Sequence, residues 1–524
     1  MLPLRFLEDA AYHRGRPILR LYPGITDLPP ITRANPYVSA FRNDSEVGRH
    51  DESQFDGMKP LRRWLTRCDL THKCRNTKTT LPTRLLHVCP SDDPNDIRLD
   101  LPNYFEQRGM HLIAKKKQES SRYVALSHRW GEVDATEIPA HCTTVENIEK
   151  RKQGFKLNEL PRTFQDAILV THSISIVQDD GADWERESCR MQEVFSSAYC
   201  TLAATSAENC DSGLARQQRQ HTFTYVRAPE GQWTCVSTNI ADFDKDVNEA
   251  DLNKRAWVLQ ERFLSPRILH FTTTQLYGEC GEDIYAGENI FLESFHAYAS
   301  KTYTKQHQKF QAAKTNLFEE YSGRDITKPT DRSIAISGLV DHIANALPCQ
   351  IHFGITGWDL HRHLLWRRSS PGPRTGKILY KEPSVPSWSW LAYEGAIEFV
   401  HDSLSNLSSF RGLRINGRVL RAPVWVFAEG NMTVHSEGHI LPYTLTNLHG
   451  SERGCVFLDV DSQVNALRLV VVVAKRQVLL SDNYRFFVLF VRPLQAKRGY
   501  QRLGMGMLTE NCILRESEHD GHVL

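Results

Sequence analysis

Residues 123–131 read Tyr123-Val124-Ala125-Leu126-Ser127-His128-Arg129-Trp130-Gly131. From Tyr123 to Leu126 the run is apolar with no polar alternation, and it stops at a polar loop beginning with Ser127. A short, evenly apolar run predicts a strand covered on both faces, as strands of a parallel sheet are. Ser127, Trp130 and Gly131 then sit just past the carboxyl end of that strand. In open parallel sheets this edge is where ligands bind. The competing reading is a turn in which Gly131 supplies backbone freedom and Trp130 packs.

Downstream, Leu160-Pro161-Arg162-Thr163 opens a helix, with Pro161 suited to the first helical position. Phe164, Ala167, Ile168 and Thr171 follow at the spacing of one buried helical face. A strand is expected over 174–177, then a polar turn, Gln178-Asp179-Asp180-Gly181. Asp183 suits the N-cap of a second helix, whose Trp184, Met191, Val194, Phe195 and Ala198 share a side. Residues 201–205, Thr-Leu-Ala-Ala-Thr, predict a third strand. Alternating strands and helices of this kind build a parallel α/β sheet. Residues 253–264 predict a closing helix ended by Ser265-Pro266, and 268–271 with 275–280 predict paired strands.

The chain has 524 residues, 64 basic and 62 acidic, for a formal charge of +2. That length calls for more than one core, and so balanced a charge offers no electrostatic footprint for nucleic acid. Apolar stretches such as 467–474 and 486–491 are strand-sized, so no membrane span is expected. Twelve scattered cysteines without a secretory signal read as reduced thiols of a cytoplasmic protein. The expected organisation is an irregular arm over 1–59 and a small accessory region over 60–120. An α/β domain over 121–281, a mixed, mainly helical region over 282–405 and a β-rich C-terminal domain over 406–524 follow.

Four ordered blocks resemble the fungal heterokaryon-incompatibility (HET) domain. They are Tyr123 to Gly131, Leu160 to Ala167, the run from Gln178 through Trp184, Glu187, Met191 and Phe195 to Ala207, and Arg255 to Arg267. Asp331-Arg332 and Pro386-Ser387-Trp388-Ser389-Trp390 resemble segments of full-length members. The resemblance implies an α/β fold related to the TIR domain, a flavodoxin-like parallel sheet, here with accessory helices and a mostly β C-terminal domain. It implies nonself recognition leading to programmed cell death, through protein partners or self-assembly. The family motif falls on Ser127, Trp130, Gly131, Pro161, Asp166, Asp179, Trp184, Met191, Arg255, Trp257, Gln260, Glu261 and Arg262. Two alternatives stand beside this reading: an NAD-cleaving enzyme of TIR type, with NAD as substrate rather than cofactor, and a degenerate partner-binding member. For the enzyme, Glu187 is the weak catalytic candidate, its carboxylate stabilising charge on a ribosyl carbon as nicotinamide leaves. The plainer account of Glu187 is a surface residue near a helix dipole. Arg255, Gln260, Glu261 and Arg262 are read either as an anion or partner site or as local ion pairs.

Cys68, His72 and Cys74 have the ligand types of zinc, with Cys89 downstream. Their spacing is not that of a standard finger and the sequence identifies no fourth ligand. They stand as weak candidates, and no resident metal or cofactor is expected. One departure from the family concerns the second strand. In similar proteins a glycine-containing turn and a strand of the type Tyr-Leu-Trp-Ile-Asp follow the first helix. Here Val170-Thr171-His172 runs into Ser173-Ile174-Ser175-Ile176-Val177-Gln178. A connection and a strand together need more residues than Ser173 to Val177 supply. Either the helix ends early and donates residues or the central strand is stunted, and lowered stability and inactivity are the expected results of both.

Overall fold

The computed structural model describes residues within 12–25, 58–100, 123–214, 223–292 and 317–524, with gaps inside each range. The chain divides into two compact units. The first takes residues 1–187, 193–254 and 264–298, and the second takes 188–192, 255–263 and 299–524.

The first unit is built on a nine-stranded mixed sheet. Its strands are β1 Leu85–Val88, β2 Ile97–Asp100, β3 Tyr123–Ser127, β4 Val177–Gln178, β5 Cys200–Ala203, β6 Arg267–Phe271, β7 Leu276–Cys280, β8 Ile284–Ala286 and β9 Ile290–Leu292. Their spatial order is β9-β8-β7-β6-β5-β3-β4-β1-β2. The four central strands are parallel, β4 to β3, β3 to β5 and β5 to β6, so in chain order they stand second-first-third-fourth. Antiparallel strands flank them on both sides. The apolar runs at 123–126 and 201–205 thus lie side by side, with Leu126 opposite Leu202. β5 and β6 are buried along their whole length, which is why neither shows polar alternation.

Helix α1, Met58–Thr71, and helix α2, Arg162–Ile174, both pack on this sheet. Leu61, Trp64, Leu65 and Cys68 of α1 join Ala167 and Val170 of α2 over Val124, Leu202 and Leu269. Phe164 and Ile168 of α2 enter a second cluster with Leu86, Ile97 and Phe155. Gly278 in β7 lets α1 approach: a Cβ there would lie 2.7 Å from the Trp64 ring. The region 60–120, read from sequence as a separate accessory, therefore gives two strands to this same sheet. A short helix α3, Met191–Ser197, precedes β5. Strands Arg20–Ile25, Phe223–Arg227 and Trp233–Ser237 form a small sheet, so the polar stretch 215–250 holds a hairpin and the expected arm holds a strand.

In the second unit, helix α4, Ala256–Leu264, and helix α5, Ser337–Ala346, accompany a ten-stranded sheet. Five of its strands, β10 Val419–Phe427, β11 Leu469–Gln477, β12 Tyr484–Pro493, β13 Tyr500–Thr509 and β14 Ile513–Val523, pair in a closed ring. β10 pairs β11, β11 pairs β12, β12 pairs β13, β13 meets β14, and β14 returns to β10. The C-terminal region is thus mostly β, and Leu469–Gln477, where a helix was the alternative, is strand. The two outlying sequence blocks are core structure. Trp388 and Trp390 are fully buried, their indole N–H groups donating to the carbonyls of Arg418 and Gly354. Arg332 donates to the carbonyls of Ser322 and Gly395 and lies over the Trp390 ring.

Candidate functional site

The carboxyl edge of the parallel strands is organised by residues that the sequence singled out. β3 ends at Ser127, whose carbonyl accepts from Ala204 N, so the loops after β3 and β5 leave the sheet side by side. Gly131 has φ +87°, and a Cβ there would lie 2.7 Å from Asn209 Cβ. Both the positive φ and the close approach require glycine. Trp130 stacks on His141 with ring centroids 5.6 Å apart, and His128 meets Phe164 edge-on at 4.8 Å. The turn and packing roles foreseen for Gly131 and Trp130 are therefore both present.

Two polar atoms at this edge stand out. Ser127 Oγ and His141 Nε2 are buried and have no hydrogen-bond partner among the described residues. Burial lowers the His141 pKa, with Asp211 opposing and Arg151 assisting. A neutral imidazole and a buried hydroxyl can each donate or accept a hydrogen bond toward a polar ligand.

The first turn of α2 clamps the loop after β5. The Pro161 carbonyl accepts from the backbone N–H groups of Phe164 and Gln165, which starts the helix. Thr163 Oγ1 accepts from Gly213 N at 3.1 Å and donates to the Asn209 carbonyl at 3.3 Å. Asp166, 1% exposed, accepts from Leu214 N at 2.9 Å, and its other oxygen lies 2.9 Å from Arg162 Nε. Gly213, at φ +78°, leaves room for that carboxylate: a Cβ would lie 2.7 Å from Asp166 Oδ2.

The remaining motif residues fall elsewhere. Trp257 and Gln260 are buried in α4, and Gln260 Oε1 accepts from Gly338 N at 3.0 Å. Arg255 precedes α4 and bridges backbone to backbone with Asp325, its carbonyl accepting from Arg324 Nη1. Arg262 is buried, Glu261 is half-buried and Met191 opens α3. These α4 residues belong to the second unit with Met191. Asp179, Trp184 and Glu187 lie outside the described residues, as does Cys89.

The structure does gather Cys68, His72 and Cys74, and it adds Cys280, their ligand atoms all within 4.8 Å of one another. Hydrogen bonds with Cys280 and then Cys74, aided by Arg267 and opposed by burial, draw the Cys68 thiol down. For Cys74 the bond with Cys280 pulls downward, but Cys68 and burial outweigh it and the thiol is pushed up to about 11. Cys280 ends β7 and lies 208 residues from His72, so no local spacing could have revealed it. The only signal was a cysteine at the end of an expected strand.

Residues 123–261 match the family described as heterokaryon incompatibility protein (HET). This segment is similar to a HET domain. The match begins with the first residue of β3 and ends within α4. Compared with curated proteins and with solved structures, the chain gives no match. The HET domain points to a function related to heterokaryon incompatibility in general. Among the described residues no helix is long and apolar enough to cross a membrane.

Proposed function

We propose that this protein is a cytoplasmic signalling protein of nonself recognition whose HET domain triggers programmed cell death, through protein partners or self-assembly and without nucleic acid. The observation that carries this reading is the HET match over residues 123–261. A TIR-like sheet is part of the proposal. The second-first-third-fourth order of β4, β3, β5 and β6 supports it, because the flavodoxin-like doubly wound order begins in that way. Fold analogy alone does not fix the chemistry, so the test is biological. Inducible expression of the full chain in a filamentous fungal host is expected to reduce viability. Trp130→Ala at matched protein level is expected to restore it, since that ring covers the sheet edge beside His141. Normal growth under full expression would remove the signalling reading and leave the degenerate, partner-binding member.

A second reading, NAD cleavage, is favoured by the unsatisfied Ser127 Oγ and His141 Nε2 at the edge where parallel sheets take ligands. Glu187 is the proposed acid. Purified full chain incubated with NAD would then release nicotinamide, and Glu187→Gln, which keeps shape and removes charge, would stop it. No release from the parent protein discards this reading without touching the first.

A further inference from the structure

We propose that Cys68, His72, Cys74 and Cys280 form a structural zinc site that fastens α1 to the end of β7. Three sulfurs and one imidazole nitrogen lie within 4.8 Å of one another, with His72 Nδ1 3.4 Å from Cys280 Sγ. A tetrahedral ion with Zn–S near 2.3 Å holds its sulfurs roughly 3.8 Å apart. Closing the cluster therefore asks movements of no more than about 1 Å.

The scaffold explains why these four meet. Cys68 lies in the last turn of α1, and the His72 amide donates to the Cys68 carbonyl at 3.1 Å. The two side chains are thus four residues apart and share a face. Cys74 follows two residues later. Cys280 is brought up by β7, on which α1 is seated through Trp64 and Gly278.

The surroundings suit the ion. Arg267 Nε donates to Cys68 Sγ at 3.2 Å, and the same guanidinium reaches Asp69 at 2.6 Å and the Tyr199 carbonyl at 3.1 Å. Zinc with three thiolates and a neutral imidazole carries one negative charge, and a buried cation donating to a ligand sulfur offsets it. Such outer partners hold ligands in place. The set contains no oxygen donor, which selects zinc over magnesium or calcium. On binding, the thiols give up their protons to solvent and no electron is transferred. None of the described cysteines is in a disulfide.

The test uses the full chain purified under reducing conditions. Metal analysis is expected to find about one zinc per chain, released when the thiols are titrated with a mercurial. Replacement by cobalt is expected to give thiolate-to-cobalt charge-transfer absorption. Cys280→Ser should weaken zinc binding by roughly 100-fold or more, beyond what outer-shell changes cost. Cys142→Ser, outside the cluster, should leave it unchanged. If Cys280→Ser fails to fold, the cobalt spectrum of the parent decides alone. Three results would overturn the assignment: no zinc uptake by the reduced chain, a cobalt spectrum without sulfur bands, or iron or copper held in zinc's place.

Discussion

Replacing Asp166 by alanine tests whether the Leu-Pro-Arg-Thr-Phe-Gln-Asp block acts as a clamp on the loop after β5. The carboxylate is 1% exposed and accepts from Leu214 N at 2.9 Å. Alanine leaves that amide buried without its acceptor, which costs about 1–3 kcal/mol. The ion pair with Arg162 adds little, since that side chain is 48% exposed and its guanidinium can turn to water. A total near 2 kcal/mol corresponds to a roughly 30-fold rise in opening of the loop. Hydrogen exchange resolved to a peptide spanning 209–214 is the suitable assay, because a chain of two units need not unfold in one step. Asp166→Asn retains an acceptor for Leu214 N and should lose less protection than alanine. Unchanged exchange at 209–214 in Asp166→Ala would refute the clamp. Loss of signalling with that protection intact would instead place the carboxylate in direct contact with a partner or ligand.

Arg502→Leu should be the more damaging change in the second unit. Arg502 is fully buried, holds both oxygens of Asp459 and donates to the carbonyls of Leu364 and Trp366. Stranding Asp459 costs about 3–5 kcal/mol, and the double variant Arg502→Leu/Asp459→Leu should recover part of it in urea unfolding; a single variant as stable as the parent would refute this. Acid should also weaken the fold. Burial lowers the pKa of His342 from its ordinary 6.5, so below pH 6.5 the unfolded chain binds a proton that the folded chain refuses. Stability therefore falls as pH drops from 6.5 toward the folded value. His342→Leu should flatten that fall relative to the parent between pH 7 and pH 5 in thermal melts, a comparison in which the other titrating groups cancel.

The sequence carried the parallel core because β3 and β5 are short, largely apolar runs, and the helix between them keeps one apolar face. Tyr123 to Ser127, Cys200 to Ala203 and the start of α2 are legible for that reason. The C-terminal strands were legible from short Val- and Phe-rich runs separated by turns. What failed to show in sequence was pairing at a distance. Arg20–Ile25 pairs with Trp233–Ser237, and neither polar stretch carries a periodic signal strong enough to announce a strand. β1 and β2 likewise join the main sheet only through contacts that no local pattern encodes. The candidate site divides in the same way. Ser127, Trp130 and Gly131 were found because they follow a readable strand. His141 and Asn209 were missed because they sit in polar loops, and Cys280 because its partners lie at and just past the end of a helix far back in the chain.

The departure at the second strand bears on the same edge. α2 continues to Ile174, and among the described residues β4 comprises Val177 and Gln178. It pairs with Tyr123 and Val124, whereas β5 pairs with β3 from Val124 through Ser127. Among the described residues, Ala125 and Leu126 thus have a strand neighbour on the β5 side only. Leu126 is correspondingly the one half-buried residue of β3. The half of β3 that leads into Ser127 depends on β5, on the hydrogen bond from Ala204 to the Ser127 carbonyl, and on Gly131 packing against Asn209. Those contacts in turn depend on the α2 clamp through Thr163 and Asp166. Among the described pairings, the support of the edge is therefore concentrated on the loop after β5. That makes residues 204–214 the segment through which a destabilised core and a weakened site would be coupled.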